Sequence, residues 1–505
     1  MFEPITEKFN IREKKSFKEH TIFFIKLLNA HSQRNNLVKH FNNDQIDKKT
    51  IERLEELKII NTKSDLKLLQ KTLGSSTFNS LIRATNYNLE HQKSIGGLLD
   101  KIDPSKRVII SQLDKTNNKP TLVDFFCGAG GLSLGFSSEG FKIELANDYE
   151  EVCIQTYKYN HPDIPNNKVI LGDIKEILNE LDSKIDGPID VVVGGPPCQG
   201  YSTANQQRLI DDPRNELYKY FLSAISKIAP KFVLMENVKG MLPYANQVEE
   251  DYRQIRINTK GTTYFYTVSN RILISDDFGV AQKRQRLFFL AIRNDVMEAK
   301  QITPEMLFNE IENNNKDNKR HVLRDALEHI KPLKAPRVKN MTEVDDDLTG
   351  KKIEVNNYDH KGNSYLELIN QGRTIEYCYN HKARYTNDIN FEIYDTLKQG
   401  EDGTSPNIAH IMPYKHRNHI FKDKYFKLVS DKPSRTITAH LRMDCHSHIH
   451  PSQTRSITPR EAARIQSFPD DYVFHGAYLK TYMQIGNAVP PIMAQGIARV
   501  IKKYI

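Results

Sequence analysis

A cysteine lies within residues 194–202, GGPPCQGYS, directly after the apolar run of residues 189–193. A short apolar run of this kind predicts a buried parallel strand, which puts Cys198 on the loop at the strand's carboxyl end. Open α/β sheets bind ligands and carry out chemistry at that edge. Alone, a cysteine beside proline and glycine is more typical of a small apolar residue in a turn than of a catalytic residue. The neighbouring motifs therefore decide its interpretation.

A glycine-rich loop precedes this cysteine in the chain. Residues 120–136, PTLVDFFCGAGGLSLGF, predict a strand over 122–126, a loop containing Gly128 and Gly130, and then a helix. Such glycines let the backbone and the helix N–H groups approach a ligand. The spacing departs from G-x-G-x-x-G, which argues against a nicotinamide site. Asp148 follows about twenty residues on, where an acid accepts ribose hydroxyls, so the pattern indicates a nucleoside ligand without a pyrophosphate.

Six blocks together carry a resemblance to a known family. They are DFFCGAGGLSLGF, GGPPCQGYS, MENVKG (235–240), QKRQRLFF (282–289), RTITAH (435–440) and QIGNAVPP (484–491). In this order they make the chain similar to the bacterial-type DNA (cytosine-5-)-methyltransferases. The resemblance runs from about residue 121 to the end, apart from a variable stretch over 331–431, and leaves out the first hundred or so residues.

The resemblance implies a set of catalytic residues. Cys198 would add to carbon 6 of cytosine, which makes carbon 5 nucleophilic. Glu236 follows the apolar run 232–235 and would act as proton donor to ring nitrogen 3; the alternative is a glutamate that caps the next turn. Arg284 and Arg286 alternate with their neighbours, so the pair can face the site, although QKRQR alone is also typical of a solvated edge strand. No residue is identified as the base for the final elimination.

The same resemblance implies S-adenosylmethionine as cofactor and no metal. Tyr149 replaces the tryptophan that the family often has, and the chain contains no tryptophan. Asp173 has a separate argument, because it follows the short apolar run 169–171, although a solvated surface aspartate is the alternative. The implied cofactor-binding residues are Phe126, Gly128, Gly130, Asp148, Tyr149, Asp173, Ile174, Leu217 and Asn487.

Composition agrees with a nucleic-acid enzyme. The chain has 505 residues and a formal net charge of +9, which suits a polyanionic partner such as double-stranded DNA. Five scattered cysteines without a C-x-x-C pair argue against a disulfide framework or a structural zinc site. No apolar stretch approaches the length of a membrane span and no signal peptide is evident. We therefore expect a soluble, cytoplasmic protein.

The predicted fold class is α/β, a doubly wound and mostly parallel sheet with an inserted, irregular recognition domain that contains strands. The predicted divisions are a helical extension (1–115), a catalytic domain (116–328), a target-recognition domain (329–457) and a return segment of the catalytic domain (458–505). The extension could grip DNA or another subunit, or pack on the core as an accessory bundle. The polar run 312–320 predicts a linker or exposed loop. Candidate DNA contacts are Arg384, Tyr385, Asn387, Lys415, Arg417 and Asn418.

Three functions fit these observations. The first is a DNA cytosine carbon-5 methyltransferase that acts on a flipped-out base in a specific duplex sequence, as a monomer, within a restriction-modification system and beside a restriction endonuclease for the same site. The second moves the same chemistry to tRNA, but the long variable region and the added extension favour DNA. The third, a DNA-binding regulator with an inactive catalytic fold, is disfavoured because Cys198, Glu236 and Arg286 are all retained.

Overall fold

A seven-stranded sheet forms the centre of the protein. The computed structural model describes residues 3–99, 119–197, 217–259, 261–413 and 424–505. Its strands are β1 (Thr121–Phe125), β2 (Lys142–Asp148), β3 (Val169–Leu171), β4 (Val191–Gly194), β5 (Phe232–Val238), β6 (Ile257–Thr259), β7 (Thr262–Tyr264), β8 (Tyr266–Ile274), β9 (Gln285–Arg293), β10 (Gly350–Val355) and β11 (Tyr377–Lys382). The sheet order is β3-β2-β1-β4-β5-β9-β8. Strands β1 to β5 are parallel and β9 is antiparallel to both neighbours, which confirms the predicted fold class.

Helices cover both faces of this sheet. Those of the catalytic region are α6 (Gly131–Ser138), α7 (Glu151–Asn160), α8 (Ile174–Ile177), α9 (Leu181–Lys184), α10 (Leu217–Ile228), α11 (Ala245–Arg253), α12 (Asn294–Lys300), α13 (Pro304–Asn315) and α14 (Leu323–Leu327). Alternate strand residues enter two separate cores: Leu122 and Leu234 face one, whereas Val123 and Val233 face the other. This alternation is the reason the strands read as continuous apolar runs. No helix among the described residues is long and apolar enough to cross a membrane.

The carboxyl-terminal segment packs against the catalytic core. Its helices are α17 (Pro459–Ile465), α18 (Tyr478–Asn487) and α19 (Pro491–Lys502). Thr458 caps α17, with Glu461 completing a capping box and proline at the first helical position. Helix α19 packs along α6, and a Cβ at Gly135 would lie 2.4 Å from the Ala494 side chain. The last helix therefore supports the helix that begins at the glycine-rich loop.

One predicted loop was partly wrong. The polar run 312–320 begins inside α13, which extends to Asn315. Thr303 caps this helix, and Leu307, Phe308 and Ile311 are buried on one side of it. Apolar residues at helical spacing thus outweigh the polar composition of the last turn, and only the residues after Asn315 form the connection.

The amino-terminal region is a helical bundle packed on the rest of the protein. Within residues 3–99 it contains α1 (Ile11–Arg34), α2 (Lys48–Glu56), α3 (Leu66–Leu73), α4 (Ser75–Glu90) and α5 (Gln92–Ile95). Arg12 forms an ion pair with Glu151 of α7 at 2.6 Å, and Arg34 one with Glu376 at 3.0 Å. Phe23 of α1 packs edge-on against Tyr159, 5.3 Å between ring centroids. These contacts favour the accessory-bundle interpretation.

The predicted recognition region shares the catalytic core. Its helices are α15 (Ser364–Asn370) and α16 (Asp388–Thr396), and β10 pairs with β11 in a separate ribbon. Tyr365 of α15 is buried in the main core and donates to the Arg464 carbonyl at 2.6 Å. A small core of its own gathers around Ile393, Leu397 and Ile449. Residues 329–457 are therefore less separate from the catalytic core than their position in the chain indicates.

Candidate active site

Several of the predicted site residues that the structure describes lie near the point where the strand order reverses. From β1 the chain proceeds to β2 and β3 on one side, and then to β4 and β5 on the other. A crevice opens between β1 and β4 at the carboxyl ends of such strands. The glycine-rich loop leaves β1 there, and the GGPPCQ segment leaves β4 beside it.

The loop that carries Cys198 is described only as far as residue 197, so Cys198 itself lies outside the described residues. Its beginning is fixed by β5. Asn237 is buried and its side-chain amide donates to the Pro196 carbonyl at 3.2 Å. A Cβ at Gly195 would lie 3.1 Å from Oε2 of Glu236. The loop therefore begins in direct contact with the predicted acid, and Asn237 is a positioning residue that the sequence did not single out.

Glu236 is buried near the end of β5, one strand from this loop. Its Oε1 forms an ion pair with Nε of Arg286 at 2.8 Å. Arg286 of β9 pairs with Val238 of β5. Because Val238 lies two residues after Glu236 on the same strand, the side chains of Glu236 and Arg286 emerge on the same face of the sheet. Burial lowers the pKa of Arg286 and the Glu236 carboxylate opposes that shift. The ion pair orients the carboxyl group and leaves Oε2 toward the Gly195 loop.

Arg284 has a different environment from Arg286. It is 1% exposed and donates to the carbonyls of Ile437 at 2.6 Å and Gly486 at 2.9 Å. Burial lowers its pKa, an effect that the nearby Arg286 charge reinforces. Arg284 thus joins the RTITAH and QIGNAVPP segments to β9, which lies between β5 and β8, so the edge-strand alternative for QKRQR is wrong.

The glycine-rich loop has the backbone that its sequence requires. Phe126 and Gly128 have φ values of 55° and 54°, and Gly130 has φ 84° as the N-cap of α6. A Cβ at Gly131 would lie 2.2 Å from the Val489 carbonyl oxygen, whereas one at Gly128 would meet open space. Glycine is therefore required at position 130 by its backbone conformation and at position 131 by close packing behind the loop. Gly128 faces the open side, where a ligand would approach.

The two aspartates predicted to bind the cofactor occupy neighbouring strand ends. Asp148 ends β2 and accepts the backbone N–H of Gly128 at 2.8 Å, which ties the loop to this strand. Burial raises the pKa of Asp148, and the N–H groups of Glu150 and Gly128 oppose the rise. Asp173 follows β3, caps the short α8 and accepts from Lys175 N–H at 3.0 Å.

The other predicted cofactor residues border the same crevice or the elements beside it. Tyr149 is 72% exposed directly after Asp148, so its ring is free for a planar ligand. Ile174 is buried in the core beneath α8. Leu217 begins the described part of α10, and Asn487 is exposed at the end of α18. Open space at Gly128, two carboxylates at strand ends and an exposed aromatic ring suit the ribose and adenine of S-adenosylmethionine.

The comparisons with known proteins decide the family. A model of C-5 cytosine-specific DNA methylase matches residues 121–503. The chain belongs to this family. It is 32% identical over 400 residues to the type II methyltransferase M.DdeI of Desulfomicrobium norvegicum, with 76% of this chain and 88% of the relative covered. It is 30% identical over 435 residues to M.AgeI of Thalassovita gelatinovora, with 75% and 98% covered.

A solved structure agrees with this assignment. A crystal structure described as a DNA modification methyltransferase encoded within an Escherichia coli prophage is 26% identical and has a TM-score of 0.56. The match covers 76% of this chain and 99% of the solved one. This methylase therefore has the fold and the DNA cytosine-5 methyltransferase activity of its family, and its first 120 residues lie outside the family match.

Three of the six predicted DNA contacts of the methylase are described, and two of these have structural partners. Arg384 donates to the carbonyls of Leu441 at 2.9 Å and Met443 at 2.7 Å, so it supports the 441–445 turn instead of projecting freely. Asn387 caps α16 by accepting from Asn390 N–H at 2.8 Å. Tyr385 is partly exposed. Lys415, Arg417 and Asn418 lie outside the described residues.

A buried acid below the glycine-rich loop escaped the sequence analysis. Asp124 of β1 is fully buried and accepts from the Ser133 hydroxyl, which in turn accepts from Tyr157 at 2.6 Å. Burial raises the pKa of Asp124 to about 7, and the Ser133 hydrogen bond opposes the rise. Its other oxygen, Oδ1, has no hydrogen-bond partner among the described residues. The D of DFFCGAGG thus anchors the first turn of α6 from inside the core.

Asp124→Asn is expected to change how stability depends on pH. Because the folded-state pKa of Asp124 is raised, its protonated form contributes stability below the unfolded carboxyl pKa, and that contribution is lost as pH rises through about 7. The asparagine still accepts from Ser133 but does not ionise. Between pH 6 and pH 8 the native protein should lose roughly 1 kcal/mol more than the variant. Urea unfolding at both pH values measures this difference, and equal losses in the two proteins would refute the assigned burial cost.

Proposed function

We propose that this methylase transfers the methyl group of S-adenosylmethionine to carbon 5 of a flipped-out cytosine in duplex DNA, through a covalent bond between Cys198 and carbon 6. The observation that carries this proposal is the Glu236–Arg286 pair, 2.8 Å apart at the crevice and in contact with Gly195 of the loop that leads to Cys198. A carboxyl group fixed beside a thiol-bearing loop is what nucleophilic addition to a pyrimidine ring requires.

The reaction begins with addition to the ring. The Cys198 sulfur forms a bond to carbon 6, electron density moves through the ring, and Glu236 shares a proton with nitrogen 3 so that the ring stays close to neutral. Arg286 holds the Glu236 carboxyl in place during this step. Carbon 5 then has the character of an enamine carbon and is nucleophilic.

The reaction ends with elimination. S-adenosylmethionine, when bound, would supply an electrophilic methyl group and leave as S-adenosylhomocysteine. After methylation a base, for which water can serve, takes the proton from carbon 5, the carbon 5–carbon 6 double bond re-forms and the Cys198 thiolate departs. Nitrogen 3 returns its proton to Glu236, which restores the enzyme. Base stacking in the duplex covers carbons 5 and 6 of the cytosine. The cytosine therefore has to leave the stack before the reaction begins, at a cost of a few kcal/mol.

Residues of the crevice that fit the cofactor take separate parts. Asp148 and Asp173 would accept hydrogen bonds from the ribose and adenine of the cofactor, and Tyr149 would offer its exposed ring to the adenine. Phe126 and Gly128 line the open side of the loop, and Asn487 borders it from the return segment. Arg284 acts as a positioning residue, since its two carbonyl partners belong to the segments that close the crevice.

We further propose a role in a restriction-modification system. Relatives named type II methyltransferases, M.DdeI and M.AgeI, support this assignment. The protein would then protect one short DNA sequence from a companion endonuclease. The variable region that contains α15 and α16 would read that sequence in the major groove, with the positive net charge of the chain aiding association.

A labelling experiment tests the substrate and cofactor. Purified protein is incubated with tritiated S-adenosylmethionine and either duplex DNA or tRNA, and the label in each nucleic acid is counted. We expect label in DNA only, and bisulfite sequencing of DNA from expressing cells then gives the modified cytosine. Label in tRNA alone, or in neither, would overturn the proposed function.

A further inference from the structure

We infer that His40, Glu90 and His91 form a divalent transition-metal site on the amino-terminal bundle, outside the family match. One ligand atom from each of these three residues lies within 4.8 Å of the other two. Two imidazole nitrogens and one carboxylate oxygen are a ligand set that suits Zn²⁺, Co²⁺ and Ni²⁺. This ligand set contains no cysteine, so the scattered cysteines of the chain do not argue against it.

The geometry is close to that of a coordinated ion. Nδ1 of His40 lies 3.8 Å and Nε2 of His91 lies 3.9 Å from the same carboxylate oxygen, Oε2 of Glu90. Bonds of about 2.0–2.1 Å at tetrahedral angles would place ligand atoms roughly 3.3–3.5 Å apart. Neither distance is a hydrogen bond. The side chains of His40 and Glu90 are 51% and 46% exposed, so small rotations can close the set.

His91 provides an independent observation. Its side chain is 16% exposed, and Nε2 is a buried atom that has no hydrogen-bond partner among the described residues. A buried ring nitrogen without a partner is costly unless something binds it. This atom faces the Glu90 carboxylate, where a cation would satisfy both groups.

The fold of the bundle brings the three ligands together, and packing orients the His91 ring. Glu90 is the last residue of α4 and His91 is its C-cap, whereas His40 ends a short 3₁₀ turn that follows α1. Tyr87, one turn before His91, packs against the His91 ring at 4.7 Å and against Phe41 at 5.4 Å. The carboxyl end of the 16-residue helix α4 also favours a cation.

A bound ion would link the turn after α1 to the end of α4. It would close a loop of about fifty residues and so stabilise the bundle by restricting its unfolded state. Because α1 contacts the catalytic core and the recognition region, the ion would stabilise the docking of the bundle. Three protein ligands and an exposed position leave room for water to complete the coordination. The site is structural in this proposal, with no part in methyl transfer.

Cobalt titration of the full-length protein tests the site directly. Visible absorption reports Co²⁺ bound to nitrogen and oxygen ligands, whereas cysteine ligands add intense near-ultraviolet bands, which separates this site from Cys198 and the other thiols. We expect about one equivalent of Co²⁺ without thiolate bands, and an increase of a few degrees in the unfolding temperature with Zn²⁺ but not with Mg²⁺.

Matched variants make the outcome decisive. His40→Ala, His91→Ala and Glu90→Gln should each lower the affinity at least tenfold. His410→Ala removes an exposed histidine elsewhere and should bind like the native protein. Circular dichroism without metal shows whether each variant is folded. If His91→Ala does not fold, Glu90→Gln still provides the test, because it changes an exposed side chain. Native-like metal binding by His40→Ala and Glu90→Gln would overturn the proposal.

Discussion

Glu236→Gln is expected to lower kcat by about 10²–10⁴ while leaving the binding of S-adenosylmethionine unchanged. Glutamine keeps the shape of the side chain and an oxygen for Arg286, whose Nε lies 2.8 Å from the carboxylate, but it cannot share a proton with the base. Most of the residues proposed to bind the cofactor lie at the ends of β1 to β3, on the other side of the crevice. Single-turnover methyl transfer gives the rate, and calorimetry gives the cofactor affinity.

Glu144→Gln is the matched control for this prediction. Glu144 also lies on a strand, its side chain has the same 11% exposure as that of Glu236, and it is paired with Lys142 at 2.6 Å. Glu144 lies on β2, and none of its hydrogen bonds or ion pairs joins it to the described residues of the GGPPCQ loop. The control should methylate at nearly the native rate. If Glu236→Gln is as active as this control, Glu236 is not the acid of the reaction.

Arg455→Met is expected to destabilise the folded protein by about 3–5 kcal/mol, because it leaves a charged carboxylate buried without its partner. Arg455 and Glu461 are both fully buried and joined by two hydrogen bonds of 2.8 and 2.6 Å. Burial alone would raise the pKa of Glu461, but the Arg455 guanidinium outweighs it and holds that pKa well below its usual value. This contribution to stability is present above the usual carboxyl pKa and is lost as pH falls.

The pair secures the start of α17, where the chain returns to the catalytic core. Glu461 also accepts the N–H of Thr458 at 2.7 Å. A displaced Glu461 carboxylate would therefore also weaken the cap of that helix. Arg324→Met is the control, since Arg324 and Asp431 form an ion pair whose side chains are 55% and 72% exposed. That change should cost less than about 1 kcal/mol. Chemical unfolding that gives equal losses for the two variants would contradict the assigned role of the buried pair.

The sequence predicted the architecture because its strands are buried on both faces and read as apolar runs. The site followed from the same logic, since a residue after such a run emerges at the carboxyl edge of a parallel sheet. Glu236 was predicted because it follows such a run and Arg286 because of the family resemblance, although their 2.8 Å contact depends on the antiparallel register of β5 with β9. Register between strands distant in sequence is not encoded in either strand alone.

Long-range polar contacts account for most of what the sequence did not predict. Arg284 bonds to carbonyls of Ile437 and Gly486, which are about 150 and 200 residues away along the chain. Asp124 is an ordinary strand residue until Ser133 and Tyr157 are placed beside it. Arg384 was predicted to contact DNA because it is a cation in a variable region, yet backbone carbonyls of the 441–445 turn bind it.

Trapping with 5-fluorocytosine tests whether Cys198 bonds covalently to the target cytosine. Fluorine at carbon 5 cannot leave as a proton does, so the reaction stops after methylation with the enzyme still attached. Duplex DNA with 5-fluorocytosine at the position found by bisulfite sequencing is incubated with the protein and S-adenosylmethionine, and the linked peptide is identified by mass spectrometry. We expect one adduct, on Cys198, and none with Cys198→Ser. An adduct with the serine variant, or one attached to any other residue, would contradict it.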